Sequence, residues 1–211
     1  FLSGPSVQMR ECEVMDLDEN AYRQGRVSVS LYGYLLVPYE RRIMPGLKSA
    51  SPPGETAAIQ AIAVDVVEQL VADRTYILGP GTTTRAIAEQ LGLPKTLLGV
   101  DVIRNFLLRV ADVNEYGLLK LLEYDTAKIL VTPIGGQGFI FGRGNQQISP
   151  QVIRRVGVEN IMILSTADKI HALNGRPLLV DTGDLEVDRA FLGYRRITLG
   201  YSESMMYKVS N

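Results

Sequence analysis

Residues 75–91 read TYILGPGTTTRAIAEQL, which joins a short apolar run, a glycine loop and a helical pattern. The β-branched, aromatic and aliphatic residues at 75–78 predict a strand. Glycine and proline at 79–81 predict a loop after it. Residues 85–91 predict a helix that ends at Gly92. A strand that leads through a glycine loop into a helix is typical of α/β proteins.

Alternating elements flank this stretch on both sides. Apolar residues at helical spacing predict a helix over 59–70, and 96–102 and 115–123 predict a strand and a further helix. This β-α-β-α alternation predicts a small α/β unit with parallel strands. Prolines and glycines between Pro38 and Gly54 mark a boundary before it.

The rest of the chain is rich in predicted strands. Alternating residues over 13–17 and 27–35 predict half-buried antiparallel strands. Further strands are predicted over 128–132, 161–164, 177–180, 196–201 and 206–209. Helices are predicted over 150–155, with Ser149 as N-cap and Pro150 at the first position, and over 167–173. The fold class is therefore mixed α/β.

Composition excludes several kinds of protein. A net charge of −1 over 211 residues gives no support for binding to nucleic acid or to anionic membranes. No apolar run approaches the roughly 20 residues of a membrane-spanning helix, and we expect no signal peptide. The lone Cys12 favours a cytoplasmic location, and the lone His171 excludes a His-rich metal site. Because the sequence starts with Phe1 rather than Met, we expect a piece of a longer polypeptide.

Half of the residues from Gly135 to Gly144 are glycines, and they follow the strand predicted over 128–132. Dense glycine costs backbone entropy, and close approach of the backbone to a ligand is a common reason for it. Arg143 and the amides of 145–147 add hydrogen-bonding groups. The pattern favours a ligand loop; a tight turn with β-bulges is the alternative.

Two further groups are candidates for ligand contacts. The loop Gly79, Gly81, Thr82, Thr83 and Thr84 precedes a helix, where free N–H groups and hydroxyls suit a phosphate; a simple threonine N-cap is the alternative. Asp101, Asp181 and Asp184 lie at strand ends, where carboxylates hold ribose hydroxyls or Mg²⁺. The alternative for each aspartate is a local Asx-turn.

Residues 132–139, TPIGGQGF, and 176–180, RPLLV, resemble the C-terminal domain of ATP-NAD kinases. Leu164-Ser165-Thr166 is similar to the strand that ends in Thr-Pro between those motifs. The wider pattern of 76–87, 97–101 and 137–147 resembles the divergent branch of predicted polyphosphate/ATP-NAD kinases, which includes relatives associated with acetoin catabolism. Where the family carries Ser, Thr and Tyr, this sequence carries Gly136, Gln137 and Phe139.

The resemblance implies a β-rich, sandwich-like nucleotide-binding domain over 1–51 and 126–211, interrupted by an inserted α/β subdomain over 52–125. It implies phosphoryl transfer from ATP or polyphosphate to NAD, giving NADP. The implied NAD-binding residues are Thr132, Gly135, Gly136, Gln137 and Phe139; Gly138, Arg143, Gly144, Asn145 and Gln146 complete the predicted loop. The catalytic Gly-Gly-Asp-Gly-Thr motif is absent from this sequence.

We therefore expect no catalytic residue and no metal ligand set in this chain. The base and the Mg²⁺ site are expected in an N-terminal kinase domain of the same polypeptide, and a homo-oligomer is expected. One alternative function is a non-catalytic domain that senses a sugar phosphate or a nucleotide. Another is a scaffold whose glycines are structural.

Overall fold

The structure is a computed structural model that describes residues 9–17, 29–38 and 53–211. Contacts between residues divide the chain into two compact units, Phe1–Leu47 and Lys48–Asn211.

The described residues of the first unit form a pair of strands. Strand β1 (Met9–Leu17) pairs antiparallel with β2 (Val29–Pro38), and the register shifts between Val14 and Met15. The two strands predicted in this region are confirmed within the described residues. Most of the boundary predicted between Pro38 and Gly54 lies outside those residues.

The second unit is built on one nine-stranded sheet. Its strands are β3 (Thr75–Leu78), β4 (Asp101–Arg104), β5 (Leu107–Val110), β6 (Ala127–Val131), β7 (Phe139–Phe141), β8 (Ile161–Leu164), β9 (Leu178–Val180), β10 (Gly193–Gly200) and β11 (Glu203–Ser210). Their order across the sheet is β5-β4-β3-β6-β8-β10-β11-β9-β7. Strands β3, β6, β8 and β10 are parallel neighbours, so their carboxyl ends share one edge of the sheet.

Strand β4 departs from the predicted alternation because it runs antiparallel to β3. The chain returns to the carboxyl end of β3 before β4 begins, and the Gly81 N–H donates to the Leu97 carbonyl at 3.0 Å on the way. The strand predicted over 96–102 also starts later in the structure than predicted. It begins at Asp101, which pairs with Leu78.

Helices cover both faces of the central strands. They are α1 (Pro53–Glu68), α2 (Thr82–Gln90), α3 (Glu115–Leu121), α4 (Pro150–Val156), α5 (Ala167–Ala172) and α6 (Leu185–Phe191). The predicted start of α4 is confirmed, since Pro150 opens the helix and the Ser149 hydroxyl accepts from the Val152 N–H at 3.4 Å. No helix in the described part of the chain has the length and apolar character needed to span a bilayer.

Alternating strand residues face two separate cores. Tyr76, Leu78, Leu130 and Leu164 pack with α1 and α2 on one face. The neighbouring residues of the same strands, such as Ile77, pack with α3 to α6 on the other face of the sheet. Burial on both faces is typical of central strands in α/β proteins.

The mixed α/β class is confirmed. The strands of 75–110 belong to the same sheet as β6 and β8. The sandwich arrangement and the division into 1–51 with 126–211 and an inserted 52–125 stay predictions.

Candidate functional site

The carboxyl ends of β3, β6 and β8 bring three loops to one edge of the sheet. These loops are the Gly79–Gly81 turn, the segment that begins at Thr132, and Ser165-Thr166. Ligands of α/β proteins bind outside the carboxyl ends of parallel strands. A ligand-binding site is therefore expected at this edge of the sheet.

The Gly79–Gly81 turn touches the start of the second glycine segment. A Cβ on Gly81 would lie 2.7 Å from the Thr132 Cγ2 atom, and Gly81 has a φ of 126°. The Gly79 N–H donates to the Leu130 carbonyl at 2.9 Å. Both glycines thus allow close packing of the β3 loop on the end of β6.

The three threonines of this loop differ in their surroundings. Thr82 is exposed, whereas Thr83 and Thr84 are buried. The single proton of the Thr84 hydroxyl is shared between the carbonyls of Gly79 (2.6 Å) and Gly81 (3.0 Å), so the hydroxyl stabilises the turn itself. Gly81, at the N-cap of α2, has no side chain that could cap the helix, and no side-chain cap bond is formed there.

The second glycine segment folds back on itself. Gly135–Gln137 form a single 3-10 turn, and the Ile134 N–H donates to the Phe139 carbonyl at 2.8 Å. Gly138 has a φ of 80°, and a Cβ there would lie 2.9 Å from Leu173 Cδ2. The tight-turn interpretation therefore accounts for Gly138.

The same interpretation does not account for Gly136. It lies in a right-handed 3-10 turn, a conformation open to any L-residue, and it is exposed. The Arg176 guanidinium approaches the Gly136 carbonyl at 3.4 Å. The backbone conformation at Gly136 does not itself require glycine. Without a side chain, this residue leaves its peptide surface uncovered, so that a ligand can approach it closely.

Residues after β7 have mixed roles. The exposed Arg143 guanidinium lies 4.5 Å from the centre of the Phe139 ring, in a cation–π contact. The buried Asn145 amide donates to the Ile140 carbonyl at 2.8 Å, which holds the loop against β7. Gly144 has a φ of 72°, and Gln146 is exposed.

Asp101 is fully buried and its oxygens are occupied within the chain. It accepts from the Thr96 N–H (2.7 Å), the Thr96 hydroxyl (2.6 Å) and the Asp112 N–H (2.7 Å). Lys95 lies 3.3 Å away, and both side chains of this ion pair are inaccessible to solvent. Burial lowers the pKa of Lys95, although Asp101 opposes the shift. A ribose or metal would have to displace these partners.

Asp181 is exposed, and its carbonyl lies against Gly142. Within the residues that the structure describes, no group of three or more His, Cys, Asp or Glu side chains could hold a metal ion. Two surface clefts lie at the opposite edge of the sheet; they include Arg74 and Arg104, and none of the predicted ligand residues lines them.

Asp184 is the N-cap of α6, a helix that the sequence did not predict. Its carboxylate accepts from the N–H groups of Val187 and Glu186 (3.1 Å each) and pairs with Arg154 at 2.7 Å. These contacts, the Val187 bond foremost, hold the pKa of Asp184 below its usual value. The Asx-type alternative thus describes Asp184 well.

Stability should depend on the charge of Asp184. A carboxyl whose pKa is lowered by folding stabilises the protein above its unfolded pKa of about 3.9, and this contribution is lost as pH falls through the lower folded value. Asp184→Asn keeps a capping side chain but removes the charge. We expect the variant to melt below the wild type at pH 7, and the gap to close towards pH 2 in thermal denaturation. A gap that stays constant between these pH values would contradict the assignment.

Comparison with known proteins identifies the family. The family model described as the ATP-NAD kinase C-terminal domain matches residues 71–209, about two thirds of the chain. No curated protein and no solved structure gives a match. The matched region contains the β3 loop, the glycine segment and the strands that carry them. The chain belongs to the ATP-NAD kinase C-terminal domain family.

Proposed function

We propose that this chain is the nucleotide-binding domain of a kinase that transfers a phosphoryl group from ATP, or from polyphosphate, to a hydroxyl of NAD or a related nucleotide. Membership of the ATP-NAD kinase C-terminal domain family supports the reaction class. The observation that carries the ligand assignment is the exposed Gly136 turn, where glycine serves no backbone need. The divergent polyphosphate branch is part of this proposal.

The glycine segment is proposed as the dinucleotide site. Its residues are Thr132, Gly135, Gly136, Gln137, Gly138, Phe139, Arg143, Gly144, Asn145 and Gln146. The exposed Arg143 guanidinium lies 4.5 Å from the centre of the Phe139 ring, and its N–H groups would bind phosphate oxygens. Gly136 would admit the nucleotide against the main chain, whereas Gly138 and Asn145 would shape the turn.

Chemistry is assigned to another domain of the same polypeptide. Phosphoryl transfer depends mainly on positioning and on neutralising charge around the phosphates. The Gly-Gly-Asp-Gly-Thr motif, which would supply the base and the partner of Mg²⁺, is absent from this sequence. This chain would bind and orient the acceptor. The cytoplasmic location and the homo-oligomeric state stay predictions.

Titration of the purified chain with NAD tests the proposal. At a ligand concentration 100 times Kd, binding should raise the free energy of unfolding by about 2.7 kcal/mol. Gly136→Val should weaken NAD binding at least about tenfold, because a β-branched side chain covers the peptide surface. Its stability without ligand should fall by less than about 1 kcal/mol, since the position is exposed.

Gly175→Val is the matched control, since Gly175 is also exposed but lies outside the proposed site. It should lose some stability through its φ of 78° yet bind NAD normally. Normal NAD binding by Gly136→Val would contradict the site. A response to ribose 5-phosphate with none to NAD or ATP would favour the second candidate, a sugar-phosphate sensor, which the hydroxyl-rich start of α2 supports.

A further inference from the structure

The start of α2 presents hydrogen-bond donors that the helix does not use. The N–H groups of Thr82, Thr83 and Thr84 occupy the first three helical positions, where α-helical geometry provides no acceptor within the helix. Gly81, at the N-cap, already donates to the Leu97 carbonyl and has no side chain to cap the helix. The helix is nine residues long, so its aligned peptide dipoles favour an anion at this end.

Two threonine hydroxyls nearby are buried without a hydrogen-bond partner. Thr83 is 0% exposed and Thr132 is 3% exposed. Within the described residues, neither hydroxyl oxygen has a partner in the chain. A buried hydroxyl without a partner destabilises the folded state, so each such group needs an explanation.

The two hydroxyls belong to segments that touch. The Thr132 side chain lies against Gly81, the N-cap of α2, and Thr83 is two residues further along that helix. Thr132 also opens the segment that leads to the Gly135–Gln137 turn. The β3 loop and the glycine segment therefore meet at this point, on the carboxyl edge of the sheet.

We propose that the N–H groups of 82–84 and the hydroxyls of Thr83 and Thr132 form one phosphate-binding pocket. The inference rests on the proposed function only in assuming that a nucleotide is the natural source of the phosphate. The ligand class is a phosphate ester held by neutral donors. Lys95, the lysine beside this loop, already pairs with Asp101 and so supplies no free cation.

The donor set explains why threonine suits both positions. Hydroxyls and amide N–H groups both donate to phosphate oxygens, and bonds to a charged acceptor are stronger than those between neutral groups. Thr84 is the internal contrast, because its hydroxyl is already used by the carbonyls of Gly79 and Gly81.

The test is a titration of the intact ¹⁵N-labelled chain with inorganic phosphate, monitored by NMR. Phosphate should shift the amide signals of Thr82, Thr83 and Thr84 saturably. Thr83→Val and Thr132→Val should each weaken phosphate binding at least about tenfold, the value of one hydrogen bond to a charged group. Neither should lower Tm, because valine removes a buried hydroxyl that has no partner in the chain.

Conservative variants make the result decisive. Thr83→Ser and Thr132→Ser keep the hydroxyl and should retain phosphate binding. Thr84→Val should lower Tm, because it removes the hydroxyl proton shared by the Gly79 and Gly81 carbonyls of the turn. The proposal is overturned if phosphate causes no saturable shifts, or if both valine variants bind phosphate like the wild type, which would assign the hydroxyls to ordered water. A lower Tm with unchanged affinity in those variants would also overturn it.

Phosphate binding and NAD binding can fail separately. Loss of the amide shifts with intact NAD binding would remove the pocket but leave the proposed function. Saturable phosphate shifts without any response to NAD would support the pocket and remove NAD as the ligand.

Discussion

Gly142→Ala is expected to lower the free energy of unfolding by about 3–4 kcal/mol, among the larger effects of a single substitution. Gly142 has a φ of 90°, and a Cβ there would overlap the Asp181 carbonyl. The opposing atom is main chain at the end of β9, so rotation of a side chain cannot relieve the overlap. Urea denaturation followed by circular dichroism measures the effect.

Gly183→Ala separates the overlap from backbone strain. Gly183 has a similar φ of 81°, but a Cβ there would meet no atom within 4 Å. Its replacement should cost only the left-handed backbone penalty, about 1–2 kcal/mol. If both alanine variants lose the same free energy of unfolding, the overlap at Gly142 has no cost. Strands β7 and β9 would then separate there without loss of stability.

Lys95→Met should cost about 3–5 kcal/mol in the free energy of unfolding, since it leaves the Asp101 carboxylate buried without its cation. Lys95 also donates to the carbonyls of Thr96 (2.7 Å) and Gly99 (2.8 Å), and methionine cannot replace these bonds. Urea denaturation again provides the measurement.

Arg85→Met is the matched control. Its ion pair with Glu89 is 2.8 Å long but exposed, so its loss should cost less than about 1 kcal/mol. The double variant Lys95→Met/Asp101→Asn should recover part of the loss, because both buried charges are gone. The opposite result would be a double variant that loses as much free energy of unfolding as Lys95→Met and Asp101→Asn lose together. In that case the lysine stem and its bonds to the carbonyls matter more than the charge.

Local signals predicted most elements of the fold. Strand β3 has the predicted bounds, and α4 begins at the predicted cap because Ser149 and Pro150 act on their own neighbours. Helix α6 was missed although Asp184 is a good N-cap residue. Its seven residues are too short for helical periodicity to stand out.

The direction of β4 could not be predicted from local patterns. It depends on where the chain lies after α2, which the Gly81–Leu97 bond and the buried Lys95–Asp101 pair fix through distant contacts. For the same reason, the sequence suggested Asp101 as a ligand residue without showing that its oxygens are occupied in the structure.

The candidate site was predicted as two separate loops. Glycine content identified both, but the contact between Gly81 and Thr132 follows from the parallel pairing of β3 and β6. The sequence also did not distinguish glycines that the backbone needs, such as Gly138, from Gly136, which adopts an ordinary helical conformation.

The order of strands has a consequence for synthesis on the ribosome. Strands β10 and β11, over 193–210, lie between β8 and β9 in the sheet, although β7 and β9 precede them in the chain. Domains form from the N-terminus as the chain emerges. The β3–β6–β8 half can assemble early, but β7 and β9 have no sheet to join until β10 and β11 have left the exit tunnel. Completion of the glycine segment therefore waits for the synthesis of residues 193–210, and the nascent chain must keep Phe139-Ile140-Phe141 from aggregating until then.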